Sequence, residues 1–173
     1  MRGIARVILA ALLLAACHRR ASGPPFDPNA FIATTANIAT SDVDLGDYAG
    51  RRARLPETKQ LGAAVAAEQR ALLGQLAPLA QRRKVAMPAA LEDRRAALHQ
   101  NLSILPGQVF DRSWALAMVQ DYDALLAGLG AASRSDDDVR AFAARVRPVI
   151  AARRKALGAL LDHLGGSPFN VAP

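Results

Sequence analysis

Four segments of the chain carry apolar residues at helical spacing, and no segment alternates with period two. The first runs from about Asp27 to Arg54 and presents Phe31, Ile38 and Leu45, flanked by Thr35, Asp42 and Ala49. The second, about Pro56 to Val85, presents Leu61, Val65, Leu72, Leu76 and Leu79. The third follows Pro106-Gly107, ends near Ala132 and presents Phe110, Trp114, Met118, Leu125 and Leu129. The fourth follows Ser135, stops at Gly165-Gly166 and presents Phe142, Val146, Val149, Ile150, Leu157 and Leu160. Alanine and leucine dominate and β-branched runs are absent, which favours helix throughout. The pattern predicts an all-α fold, a four-helix bundle with a shorter helix, about Ala90 to Ser103, in the connection between the second and third helices. Short links make the first and second helices one antiparallel hairpin and the third and fourth another. Asp27 and Pro28 read as an N-cap and first helical residue, and Ser135 with Asp138 as a capping box. Pro78 and Pro148 fall inside helices, where they predict kinks.

Each stripe is interrupted near its middle by polar side chains. They are Asp42 in the first helix, Glu68 and Gln69 in the second, Asp121 and Tyr122 in the third, and Arg153 in the fourth. Mid-helix positions of antiparallel neighbours meet at one level, so these six are expected to form one internal polar layer. Taken singly, each also fits the wet edge of a stripe, and Arg153 fits a side chain that lays its stem on the core with its head in water. Coincidence of level across four helices favours the inward reading. Carboxylates gathered in a core repel, and at least one is pushed toward protonation. Arginine stays charged and grips carboxylates with two prongs. Arg153 is therefore expected to supply the layer's positive charge, with Gln69 and the Tyr122 hydroxyl completing its hydrogen bonds. If that contact is fully buried, truncating Arg153 costs about 3–5 kcal/mol.

The chain opens MRGIARVILAALLLAACHRR. Arg2 and Arg6 form a short basic n-region, and Ile4 to Ala16 is otherwise apolar, shorter than the roughly 20 residues a membrane-spanning helix needs. Leu14-Ala15-Ala16-Cys17 resembles the bacterial lipobox, so residues 1–16 are expected to be a lipoprotein signal peptide and Cys17 the lipid attachment site. Cys17 is the only cysteine and has no partner for an internal disulfide. Acyl chains contribute about 0.8 kcal/mol per buried CH2, enough for several chains to hold a protein at a membrane. Residues 17–26 read as lipidated cysteine and tether, 27–166 as the bundle and 167–173 as a C-terminal tail. The expected location is the bacterial envelope, facing the periplasm. His18 after Cys17, where aspartate would resemble an inner-membrane retention signal, leans toward the outer membrane.

The formal net charge is +7, of which Arg2 and Arg6 belong to the signal segment. The remaining excess is spread along the chain and points to anionic surfaces such as lipid head groups. No recognition motif or aromatic platform suggests nucleic acid. Ser113 and Ser133 have no histidine at a motif spacing, and there is no Gly-rich phosphate loop or C-x-x-C. No cofactor is expected. His18, His99 and His163 fall in the tether, the connecting helix and the end of the fourth helix, and read as surface or boundary residues.

Several local patterns resemble a bacterial envelope family catalogued as domain of unknown function 4142. Asp42-Val43-Asp44-Leu45-Gly46 is similar to its E-V-E-L-G element, and Glu68-Gln69 stands where it has Asp-His. Phe110-Asp111-Arg112-Ser113-Trp114 resembles its F-D-R-A-Y, Met118-Val119-Gln120-Asp121-Tyr122 its M-V-x-D-H, and Pro148 to Arg153 its P-x-L-x-x-H. The resemblance spans about Phe31 to Leu161 and implies a ferritin-like bundle. Ferritin-like metal centres combine inward carboxylates with histidines on facing helices. Here the three histidine positions hold Gln69, Tyr122 and Arg153, so no metal ligand carries over. The expectation is a lipid-anchored, non-catalytic bundle with a salt-bridged core, acting as a structural, stress-related or interaction module. The alternative is a metal-binding protein or oxidoreductase using Asp42, Glu68 and Asp121 in an all-oxygen site suited to manganese or magnesium. Sequestration of an apolar ligand between the helices is a third reading.

Overall fold

A computed structural model describes residues 25–165. The expected signal segment, Cys17 and the expected C-terminal tail lie outside the described residues. Five helices follow in order: α1 (Pro28–Arg52), α2 (Pro56–Arg83), α3 (Asp93–Ser103), α4 (Gly107–Ala132) and α5 (Asp137–His163). Four form the bundle, and α3 lies in the long connection. Two hairpins, α1–α2 and α4–α5, pack with α1 against α4 and α2 against α5. The segment between Arg83 and Gly107 climbs back along the bundle, so α4 starts beside the α1–α2 turn. Every adjacent pair of long helices is consequently antiparallel, and their midpoints share one level.

Local chemistry fixes the helix ends. The Asp27 carboxylate accepts the Asn29 amide at 2.8 Å, and Pro28 follows as the first helical residue. At the far end, buried Asp111 of α4 accepts the amides of Arg54 and Leu55 at 2.9 and 2.8 Å, satisfying the turn into α2 from another helix. The Ser135 capping box does not form. Asp136 takes the N-cap position of α5 without a side-chain cap bond, because Arg83 draws its carboxylate away at 2.5 Å and holds Asp138 at 2.7 Å. Those aspartates stand at the positive end of the α5 dipole, and Arg83 ties them to the end of α2. Pro78 and Pro148 remain inside α2 and α5, which continue through them.

The apolar stripes close one core that includes Ile32, Leu45, Leu76, Trp114, Met118 and Leu157, all fully buried. Val149 is a correction. It is 51% exposed, whereas Ile150 is buried, because the inward stripe of α5 steps from Val146 to Ile150. No helix among the described residues is long and apolar enough to cross a membrane.

The tightest helix contact joins α1 and α2. A methyl group on Gly46 would stand 2.7 Å from the Gly62 carbonyl oxygen and 2.8 Å from the Ala66 nitrogen. Backbone meets backbone there, so there is no flexible side chain to yield. Gly46→Ala is expected to lower unfolding stability by about 1–3 kcal/mol through overpacking. Gly74 has nothing within 4 Å of the same added atom. Gly74→Ala should raise stability by up to about 1 kcal/mol through helix propensity. Urea denaturation of the two variants checks the opposite signs.

Candidate functional site

All six expected polar residues lie at the middle of the bundle, divided into two linked clusters. In the first, Glu68 of α2 accepts the Tyr122 hydroxyl at 2.9 Å through Oε1 and Arg153 Nε at 3.3 Å through Oε2. Tyr122 is fully buried, and its phenol pKa is driven far upward by burial and by the Glu68 charge, so it serves as a neutral donor. Burial also raises the Glu68 pKa, against the pull of the Tyr122 bond and Arg153. The Arg153 side chain is 25% exposed. Its stem occupies the core stripe between Ile150 and Leu157, and its head reaches the rim.

In the second cluster, Asp42 of α1 and Asp121 of α4 come together deep in the bundle. Asp42 is fully buried, and its oxygens accept no hydrogen bond from any donor among the described residues. Burial raises its pKa well above the usual carboxylate value, and the Asp121 charge adds to the effect. Burial and the neighbouring Asp121 carboxylate both favour the neutral form of Asp42. Asp121 in turn accepts Arg95 Nη1 of α3 at 2.5 Å. Burial works against the charge on Arg95, but its bond to Asp121 and that carboxylate's charge more than offset it. The Gln69 amide lies beside the Tyr122 hydroxyl, fully buried, with both of its polar atoms unpartnered among the described residues.

Arg153 therefore does not neutralise the whole layer. It serves Glu68 alone, and Arg95 serves the aspartates. Arg95 stands in the connecting helix, beside the equally basic Arg94, so its sequence position carries no mark of the role. A cleft of about 510 Å3 opens outside this contact, lined by Asn37, Glu92, Arg95 and Asp121 among others.

The connecting helix also brings together a serine and a histidine that their sequence spacing does not suggest. His99 Nε2 lies 3.2 Å from both the Ser41 hydroxyl and the Ser41 carbonyl oxygen. A carbonyl only accepts, so the contact with it requires a proton on Nε2. That proton prevents Nε2 from acting as a base toward the hydroxyl, and Ser41 is fully buried. The pair fastens α3 to α1. It is not a nucleophile with its base.

The ferritin-like metal centre can be tested on the same donor set. No three His, Cys, Asp or Glu side chains among the described residues form a group that could hold a metal ion. Glu68 and Asp121 each face a guanidinium, and Asp42 favours its neutral form. These residues do not fit a bound divalent cation, which needs ionised, unopposed oxygen ligands.

A family model described as a domain of unknown function, DUF4142, matches residues 15–160. Among solved structures, the crystal structure of a DUF305 fragment from Deinococcus radiodurans superposes with a TM-score of 0.69. The match covers 81% of this chain and 99% of that one at 16% identity, a likeness of fold. No curated protein matches.

The two arginines should differ in cost. Arg95→Leu leaves two neighbouring carboxyl groups without a cation and is expected to cost about 2–4 kcal/mol at pH 7. Arg153→Leu, at a wetter contact, should cost about 1–2 kcal/mol. Thermal and urea unfolding of both variants checks the order. A further expectation concerns pH. The folded pKa of Asp42 is raised, so folding gains from its proton below the ordinary carboxylate pKa of about 3.8 and loses that gain as pH rises through the folded value. In Asp42→Asn that loss disappears, so the stability of the variant relative to the parent should climb between pH 4 and pH 8. Paired urea titrations across that range measure the slope.

Proposed function

The chain belongs to the DUF4142 family, and from that premise we propose a lipid-anchored, non-catalytic helical bundle of the bacterial cell envelope, built as a structural or interaction module. The observation that carries the non-catalytic part is the neutralisation of the central layer by Arg95 and Arg153. A ferritin-like reaction centre keeps its charged oxygens for metal. Here guanidinium groups hold two of the three carboxylates, and burial beside Asp121 pushes the third toward its neutral form. The Ser41–His99 contact offers no base, and the layer's tyrosine is bound to Glu68. The anchor rests on Leu14-Ala15-Ala16-Cys17 after a short apolar run. The same run, followed by a cysteine with no disulfide partner, supports export and a periplasm-facing location, with the outer membrane favoured by His18.

Two measurements test the reading. Labelled palmitate supplied to bacteria expressing the full chain should be incorporated into it, and Cys17→Ser should abolish the label and release the protein from the membrane fraction. Unchanged labelling of that variant would refute the anchor. Metal analysis of the purified protein should find less than stoichiometric iron or manganese. One or two tightly held ions per chain would restore the metalloprotein alternative.

A further inference from the structure

The end of the bundle opposite Phe26 gathers a surface that the central layer does not use. Asp111 bonds the Arg54 amide, Tyr48 donates to the Ser103 carbonyl at 3.1 Å, and His163 meets Glu57. These contacts place the α1–α2 turn, the α3–α4 corner and the end of α5 together. Arg51, Arg52 and Arg54 are exposed there. None of the ion pairs among the described residues engages them, since Asp47 is held by Arg70 and Glu57 by His163. Tyr48, Arg51, Arg52 and Gly107 line a shallow cleft of about 430 Å3. The Arg54 side chain lies beside Gly107, within 3.9 Å of where a methyl group would stand on it.

The same corner carries exposed aliphatic side chains. Ile104 is 76% exposed and Val109 is 55% exposed. With Val149, on the side of α5, they are the exposed large hydrophobic residues among the described ones. Basic residues at the end of α1 complement its dipole, which accounts for Arg51 and Arg52 by themselves. It does not account for Arg54 beyond the helix, nor for two bare aliphatic groups beside a trio of arginines. Guanidinium groups bind phosphate with paired donors, and aliphatic groups between them gain by entering the acyl boundary beneath the head groups. An anionic lipid surface offers phosphates for the arginines and an apolar layer for the exposed Ile104 together.

We infer that this end of the bundle is a docking surface for an anionic lipid membrane, with Arg51, Arg52 and Arg54 on head-group phosphates and Ile104 and Val109 at the acyl boundary. The 25 residues of α1 span about 37 Å, so the surface lies a bundle's length from the end where the tether enters. It needs no acyl chain on Cys17. A chain beginning at residue 18 retains every described contact, so the inference and the anchor can fail separately.

The test is sedimentation of that chain with vesicles of phosphatidylcholine alone or with phosphatidylglycerol, at 150 mM and 500 mM salt. Binding should require phosphatidylglycerol and weaken with salt. The triple variant Arg51→Gln, Arg52→Gln, Arg54→Gln should bind on the order of a hundredfold more weakly, at about fivefold per arginine. A control with the same loss of charge, Arg134→Gln, Arg147→Gln, Lys155→Gln, should stay within a few fold of the parent. Ile104→Ser with Val109→Ser should also weaken binding, and circular dichroism should show all variants equally helical. Equal weakening in the two triple variants would reduce the effect to diffuse charge and overturn the inference. Absence of binding to anionic vesicles, equal binding to neutral ones, or indifference to the serine pair would overturn it as well.

Discussion

The bond between Arg95 and Asp121 holds this molecule's centre and its connecting segment in one contact. Two aspartates meet inside the bundle, and the nearer cation comes from outside the four long helices. Removing α3 would leave Asp42 and Asp121 facing each other without a charge to offset them. The rest of the connection follows the same line. Asn37 bonds Glu92, Ser41 bonds His99 and Tyr48 bonds Ser103, so α3 is stitched along α1 from its start to its end. A loop that only had to reach the top of the bundle would need none of these contacts. This one covers the α1–α4 groove at the level where the core is polar.

The long helices were legible because their periodicity is strong and repeated. Phe31, Ile38 and Leu45 are buried as their spacing predicts, as are Phe110, Trp114 and Met118. The level of the polar layer was legible too, since equal helix lengths and short turns determine which midpoints meet. Val149 shows where the pattern runs out. A three-residue step and a four-residue step from Val146 are both helical, and only packing against α2 and α4 selects Ile150. Arg95 was beyond the pattern altogether. In a short, polar helix, the choice between Arg94 and Arg95 as the inward residue depends on the helix phase, and α3 begins three residues later than its sequence suggests. Asp111 was equally hidden, because its partners lie more than fifty positions away in the α1–α2 turn.

The positions where the resemblance implies histidine have individual explanations in the structure. Tyr122 and Arg153 both donate to Glu68, one from inside the bundle and one from its rim. An imidazole would leave a ring nitrogen able to accept or to bind metal. A phenol whose pKa is strongly raised keeps its proton, and a guanidinium has no acceptor lone pair, so neither supplies an imidazole-like or anionic metal ligand at neutral pH. Gln69 is different, because its amide finds no well-formed bond among the described residues. Tyr122 and Arg153 thus present to Glu68 two hydrogen-bond donors that keep their own protons.

A buried polar layer of this kind contributes little net stability, since desolvation cancels most of what its ion pairs provide. Its effect is on register. The stripes of α1 and α4 are rich in alanine and leucine, and a one-turn slip would still bury apolar groups against apolar groups. Such a slip would set Asp42 against Met118 or Leu125 and remove Arg95 from Asp121. A slip of α1 against α2 would likewise drive Gly46 and Gly62 apart and bring bulkier residues into their crossing. The apolar stripes alone therefore tolerate several alignments. The charged contacts and the glycine crossing each tolerate one, and it is the same one, which is how a chain of repetitive composition acquires a single packed state.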